Sequence, residues 1–210
     1  MSDAALVLFA RAPEPGLVKT RLIPALGAEG ACAAHEQLLA HSLRVVGGLG
    51  LPAWLYGTGE LRRLREPARR AGLRLARQGS GDLGQRMAAA FAGLHARGFE
   101  RVVLVGSDCP VLDDTYLRQA LETLRDVDFV LGPAEDGGYV LLGSARPGIW
   151  DPSVLAGVRF GGPDAEADTR AALASLGRVA RLAPLWDVDE PTDWARARTR
   201  ALPPDVPTLD

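Results

Sequence analysis

Lys19 is the only lysine among the 24 Lys and Arg residues of this 210-residue chain. It lies in FARAPEPGLVKTRL, residues 9–22, between Arg11 and Arg21. A chain that uses Arg at every other cationic position departs from it where a compact ammonium, rather than a planar fork, is required. A phosphate held in a tight Gly/Pro loop is such a requirement. The plain alternative is a solvated basic turn. Carboxylates form a second group. Asp108, in GSDCP, directly follows the apolar run Arg101–Gly106, and DVDEPTD (Asp187–Asp193) offers further acids late in the chain. A hard cation such as Mg2+ is held by one or two carboxylates together with substrate phosphates. The alternatives are an Asp108 that bonds the turn at Pro110 and a Glu190 that caps the helix starting at Pro191. Asp113 and Asp114 stand closer to the following helix and can cap it, which frees Asp108 for a ligand.

Two glycine-rich stretches complete the chemistry. GPAEDGGYVLLG, residues 132–143, presents Glu135 and Asp136 beside Gly137 and Gly138. It reads either as a base for an acceptor hydroxyl or as a polar turn whose glycines take positive φ. GSGDLG, residues 79–84, matches the G-x-G-x-x-G dinucleotide pattern between a strand and a helix. It follows the third strand rather than the first, and no acid ends a neighbouring strand at the required distance. It is therefore read as a loop that lets backbone approach a ligand such as a nucleotide base. His35 and His41, six apart, fall on different helix faces and do not chelate together. His95 is expected at the surface, and Cys109 as a small apolar filler.

The elements that must position these residues alternate. Apolar runs of strand length begin at Ala4, Leu51, Leu73, Arg101, Asp128, Tyr139 and Val179. Helical periodicity fills 28–46, 60–71, 82–97, 115–125, 163–176 and 191–200, with Asp82 and Gln85 at capping-box spacing. Residues 149–162 read as irregular. The strand at Tyr139 follows its neighbour too closely for a crossover helix, so that pair is antiparallel. The pattern predicts a three-layer α/β/α sandwich around a mostly parallel sheet, in a single domain over 1–202 with a loose tail over 203–210. In such sheets ligands bind beyond the carboxyl ends of the strands, where the Arg11–Arg21, Gln78–Gly84 and Ser107–Pro110 loops fall.

Composition narrows the partners. Net charge is −2, which argues against nucleic-acid binding. No basic leader region and no apolar run of bilayer length stand in the sequence, so a cytoplasmic protein with no membrane partner is expected. Cys32 and Cys109 are far apart and suggest neither a disulfide framework nor a zinc site.

The motifs FARAPEPGLVKTRL, QGSGDLGQRM, GSDCP, GPAEDGGYVLLG and DVDEPTD occur in this order over 9–193. Together they resemble DUF2064, a family of small bacterial transferases also labelled arsenosugar-biosynthesis-type glycosyltransferases, with the GT-A or nucleotide-diphospho-sugar transferase fold. The resemblance implies phosphate binding by Lys19, Arg11 and Arg21. It implies a nucleotide-base loop at Gln78 and Gly84, and Mg2+ or Mn2+ at Asp108 and Asp189. It puts Asp136, Gly137 and Gly138 on the acceptor side. The chain departs from the family at Phe160, Gly161, Gly162 and then Thr169, where a Trp-Ser-Thr-like segment before a Thr is usual; this bears on acceptor specificity. It also has a lone Asp-Cys-Pro in place of Asp-x-Asp, which is similar to nucleotidyltransferases such as the phospholactate guanylyltransferase group. The expectation is a metal-dependent transferase that moves a sugar from a nucleotide sugar to a small acceptor. The alternative is nucleotidyl transfer from a nucleoside triphosphate to a phosphorylated or acidic acceptor. An NAD-binding oxidoreductase and a nucleotide-binding module without turnover are readings from other classes.

Overall fold

The structure, a computed structural model of the chain, describes residues 2–200 and the side chains of 2–199; the tail expected over 203–210 lies outside the described residues. Seven strands form one sheet in the order β3-β2-β1-β4-β6-β5-β7. In chain order they are β1 (Ala4–Arg11), β2 (Ala53–Thr58), β3 (Arg74–Arg77), β4 (Arg101–Gly106), β5 (Phe129–Pro133), β6 (Tyr139–Ser144) and β7 (Val179–Arg181). The helices are α1 (Ile23–Gly48), α2 (Arg62–Arg70), α3 (Leu83–His95), α4 (Asp114–Thr123), α5 (Ala165–Ala174) and α6 (Pro191–Arg200). Every pairing is parallel except those of β6, which lies antiparallel between β4 and β5. This is the predicted mostly parallel sheet with its antiparallel strand.

Alternation along β1 sorts the core into two layers. Leu6 and Leu8 face a cluster that holds Leu39 and Leu43 of α1, Leu64 of α2 and Leu117 of α4. Ala5, Val7 and Phe9 face the other side, against Met87 and Phe91 of α3, Leu173 of α5, and Trp150 of the 149–162 segment. Both faces of β1 and β4 are covered, which is why those strands read as unbroken apolar runs. A third cluster joins Leu22 and the first half of α1 to Trp186, Val188 and Trp194, so α6 docks where α1 begins.

Helix signals have mixed outcomes. Asp82 and Gln85 form the reciprocal capping box on α3, and Asp113 accepts from the Tyr116 amide at the start of α4. At α6 the acid that bonds the free amides is Asp193, through the Asp189 and Glu190 N–H groups, rather than Glu190. Helix α1 begins five residues earlier than its apolar period indicates, with a break at Gly27 (φ 72°), and it runs through Gly47 and Gly48. Gly47 fits there because a Cβ would stand 2.2 Å from the Ala71 carbonyl oxygen, so α1 and the end of α2 approach closely. Among the described residues no helix is long and apolar enough to cross a membrane.

Candidate active site

At the carboxyl ends of β1 and β4, Phe9 and Gly106 are register partners, so the loops that follow them leave the sheet side by side. Lys19 lies in the first loop with φ 45°, the only positive φ outside glycine among the described residues. A left-handed conformation costs a residue with a Cβ about 1–2 kcal/mol, so the surroundings must hold it. They do: its side chain is only 7% exposed, Nζ lies 2.8 Å from Asp108 Oδ2, and it donates to the Val188 carbonyl. An ammonium has three protons, so one donor remains after these two contacts. Arg21 pairs with the Asp189 carboxylate and stands 3.8 Å from Glu190. Lys19 and Arg21 therefore clip the 187–190 segment onto the first loop. Arg11 is exposed at the rim, and its backbone carbonyl accepts from His35 Nε2 at 2.9 Å.

His35 was not singled out in the sequence as a site residue. It is 4% exposed, and its Nδ1 stands 4.0 Å from Asp108 Oδ1. The Arg11 carbonyl can only accept, so Nε2 carries a proton. Burial lowers its pKa more than the nearby Asp108 charge raises it. Nothing in the sequence distinguishes it from any other histidine on the buried face of a helix.

The carboxylates arrive from three segments. Burial would push the Asp108 carboxyl up, but Lys19, His35 and a hydrogen bond from Ser107 together hold it below its ordinary value. The late segment is steered in by the sheet. Leu182 and Leu185 donate to β5 carbonyls, Ala134 bridges Leu185, and the Val188 amide donates to the Asp108 carbonyl at 2.9 Å. Val188 is fully buried, so the residues on either side of it, Asp187 and Asp189, share the opposite, cleft-facing side of an extended stretch. Asp187 was not among the expected ligands, although the D-V-D alternation carried the signal. Burial, with the Asp136 and Asp108 charges, raises its carboxyl from 3.8 to about 6.

These residues line one cleft with two lobes. The first lobe, about 420 Å3, is bordered by Arg11, Lys19, Arg21, His35 and Gln78. The second, about 610 Å3, is bordered by Asp136, Asp187, Gly138, Tyr139, Met87 and Phe160 among others. Phe9, Arg21, Leu83, Gly106, Asp108 and Asp189 line both and form the seam between them.

Several expected residues have other surroundings. Gln78 borders the first lobe, but its side-chain amide donates to the Tyr56 and Ala10 carbonyls at 3.0 and 3.4 Å, bridging β2 and β1. Gly84 is buried, and a Cβ there would lie 3.0 Å from Leu155 and from Phe160, so it serves close packing of the irregular 149–162 segment on α3. Leu83 borders the cleft in its place. Gly137 has φ +89°, and a Cβ would stand 2.1 Å from the Pro163 carbonyl oxygen; it too is a packing glycine, whereas Gly138 borders the second lobe. Glu135 is held by Arg196 at 2.7 Å, which leaves Asp136 as the acid of that pair lining the cleft. Cys109 is buried and its thiol is pushed up to about 12, consistent with a filler. His95, expected at the surface, is 7% exposed, bonded to the Phe99 carbonyl and to Ser144 Oγ, because α3 turns that position onto the sheet.

The donor set suits a hard divalent cation in one particular mode. Asp108 and Asp189 both border the seam and offer oxygens only. Among the described residues no three His, Cys, Asp or Glu side chains stand close enough to enclose a metal by themselves. Asp136, Asp187, Asp108 and Asp189 border the second lobe with Arg21 as the one cation among its described lining residues, a local excess of negative charge. Two carboxylates with this excess fit Mg2+ or Mn2+ whose remaining ligands come from substrate phosphates and water.

The fold recurs in solved structures. A protein from Desulfovibrio desulfuricans G20, provisionally named a nucleotide-diphospho-sugar transferase, is 28% identical with a TM-score of 0.83, over 100% of this chain and 94% of its own. A nucleotidyl transferase from Methanothermobacter thermautotroptrophicus is 16% identical (TM-score 0.64; 93% of this chain, 96% of its own). Glucosyl-3-phosphoglycerate synthase from Mycobacterium tuberculosis, solved with Mn2+, UDP and glucosyl-3-phosphoglycerate, is 13% identical (TM-score 0.54; 94% of this chain, 76% of its own). The fold is thus that of nucleotide-using transferases. No curated protein matches the sequence. The profile of DUF2064, described as "Uncharacterized protein conserved in bacteria", matches residues 42–162, more than half of the chain. The GSDCP and GPAEDGGYVLLG stretches both fall inside that match, and the chain belongs to the DUF2064 family.

Proposed function

We propose that the protein transfers a sugar from a nucleotide sugar to the hydroxyl of a small acceptor, with Mg2+ or Mn2+. The observation that carries this reading is the pairing of a cationic lobe with a larger carboxylate-bearing lobe across one seam. Arg11, Lys19 and Arg21 offset the charge of the donor's diphosphate, and Gln78 borders the same lobe on the base side. A divalent cation at Asp108 and Asp189, when bound, supplies further charge stabilisation to the departing phosphate. The acceptor hydroxyl oxygen attacks the anomeric carbon, and the bond from that carbon to the β-phosphate oxygen breaks. The hydroxyl proton passes to a carboxylate of the second lobe, Asp136 or Asp187. Asp187, raised to about 6, is the better matched to proton transfer near neutral pH. The nucleoside diphosphate leaves with the bonding electrons, and Lys19 follows the growing charge with its remaining donor.

Nucleotidyl transfer has one observation in its favour. Three cations in one loop, Arg11, Lys19 and Arg21, suffice to hold a departing pyrophosphate. That reaction attacks the α-phosphorus and needs no base for an ionised phosphate nucleophile, so it leaves Asp136 and Asp187 without a role.

The test is product identity. The protein with Mg2+ or Mn2+ and a panel of nucleotide sugars is expected to release nucleoside diphosphate, slowly even with water as acceptor, and Asp108→Asn is expected to abolish the release. Pyrophosphate from a nucleoside triphosphate, with no diphosphate from any sugar nucleotide, would establish the second reading instead.

A further inference from the structure

We infer that the second lobe binds an uncharged acceptor with an apolar face beside its reacting hydroxyl, and that it excludes phosphorylated and carboxylated acceptors. The inference rests on the reading that the first lobe takes the donor's phosphates. Its first support is charge. Asp108, Asp136, Asp187 and Asp189 border the second lobe, and Arg21 is the one cation among its described lining residues. Arg21 is already engaged by Asp189 and by Glu190 at 3.8 Å. An anionic acceptor would enter a chamber of like charge with no free cation to receive it. A divalent cation at Asp108 and Asp189 would offset those two acids and release Arg21 from Asp189 to the donor's diphosphate, leaving Asp136 and Asp187, so the lobe stays acidic in either state.

The second support is the apolar floor. Met87, Leu104 and Leu142 rise from α3 and the sheet, and Tyr139 and Phe160 continue the surface toward the seam. Met87 adapts to irregular shapes through its unbranched thioether. Burial pushes the Tyr139 phenol up, so it stays neutral, and its oxygen lies 3.4 Å from Thr169 Oγ1. At the mouth stands Leu83, 43% exposed. It and Leu17 are the large apolar side chains most open to solvent among the described residues, and both border this cleft. A lobe lined by both apolar side chains and carboxylates is complementary to a molecule that presents hydroxyls on one side and hydrocarbon on the other.

The test uses a matched pair of probes, phenyl β-D-glucopyranoside and its 6-phosphate, titrated into the full chain with Mg2+ by ligand-detected NMR. The neutral probe is expected to bind at least about tenfold tighter, the ratio produced by one unfavourable charge contact near a protein surface. Asp136→Arg is expected to shift the ratio at least about tenfold toward the phosphorylated probe. Phe160→Ala is expected to weaken the neutral probe, and nucleotide binding in the first lobe serves as the control for folding. Equal or tighter binding of the phosphorylated probe by the unaltered protein overturns the inference, and so does the absence of binding by both. Failure to release nucleoside diphosphate would overturn the donor reading while leaving the measured ratio of the two probes as it is.

Discussion

The cationic lobe draws Arg11, Lys19 and Arg21 from one continuous loop, whereas the second lobe gathers Asp108, Asp136 and Asp187 from three segments far apart in sequence. The loop needs little beyond its own conformation and the clips at Lys19 and Arg21. The carboxylate lobe exists only if the 134–138 turn, the 182–189 segment and the end of β4 are all docked. Substitutions far from any charge should therefore damage the second lobe more than the first. That difference also bears on the electrostatics: opposite charges pair at the seam, while Asp187 is raised by burial and by the Asp136 and Asp108 charges more than Lys19 lowers it.

Gly137→Ala should break this asymmetry most severely. Its Cβ would stand 2.1 Å from the Pro163 carbonyl oxygen at φ +89°. The combined strain and overpacking should cost about 2–4 kcal/mol. Gly148→Ala, at φ +83° with nothing within 4 Å, should cost only about 1–2 kcal/mol. Urea denaturation midpoints measure both. Equal losses would show that backbone conformation, not the docking of Pro163, governs the turn that carries Asp136.

Lys19→Arg probes the other lobe. The guanidinium is larger than the ammonium, and Lys19 is nearly buried between Asp108 and the Val188 carbonyl. Nucleotide affinity should fall by about 1.5–3 kcal/mol, the worth of one charge-assisted hydrogen bond. Arg118→Lys on the exposed face of α4 should leave it unchanged. Calorimetric titration with nucleoside diphosphate compares the two, and unaltered affinity in Lys19→Arg would reduce the single lysine to an accident of composition.

Asp187→Asn gives a smaller, pH-dependent effect that sharpens the contrast. The folded protein raises this carboxyl from 3.8 to about 6, so folding favours its protonated form. The stabilisation linked to it is complete below 3.8 and is lost as pH rises through 6. In chelator-treated protein, Asp187→Asn should therefore add about 1–3 kcal/mol at pH 8 and almost nothing near pH 4. A gain of the same size at both pH values would mean that burial and the Asp136 and Asp108 charges do not raise this carboxyl.

What the amino-acid sequence determined by itself is local or periodic. β1 and β4 announced themselves as apolar runs because both of their faces are covered. The capping box at Asp82 and the cap at Asp113 were legible because a cap and its partner lie within three residues. Lys19 stood out by composition, Asp108 by following a buried strand, and β6 by leaving no room for a crossover helix. Only the tertiary structure decided the rest. It put His95 on the sheet and His35 behind Asp108, tied Glu135 to Arg196, and used Gly84 and Gly137 for close packing. It also drew Asp187 into the cleft beside Asp189. Each of these depends on which atoms a distant segment brings within a few ångströms, and neither periodicity nor capping carries that information. The charge state of Asp187 is the clearest case. Its shift comes first from burial and then from Asp136 and Asp108, residues that become its neighbours only when β4, the 134–138 turn and the 182–189 segment converge at one edge of the sheet.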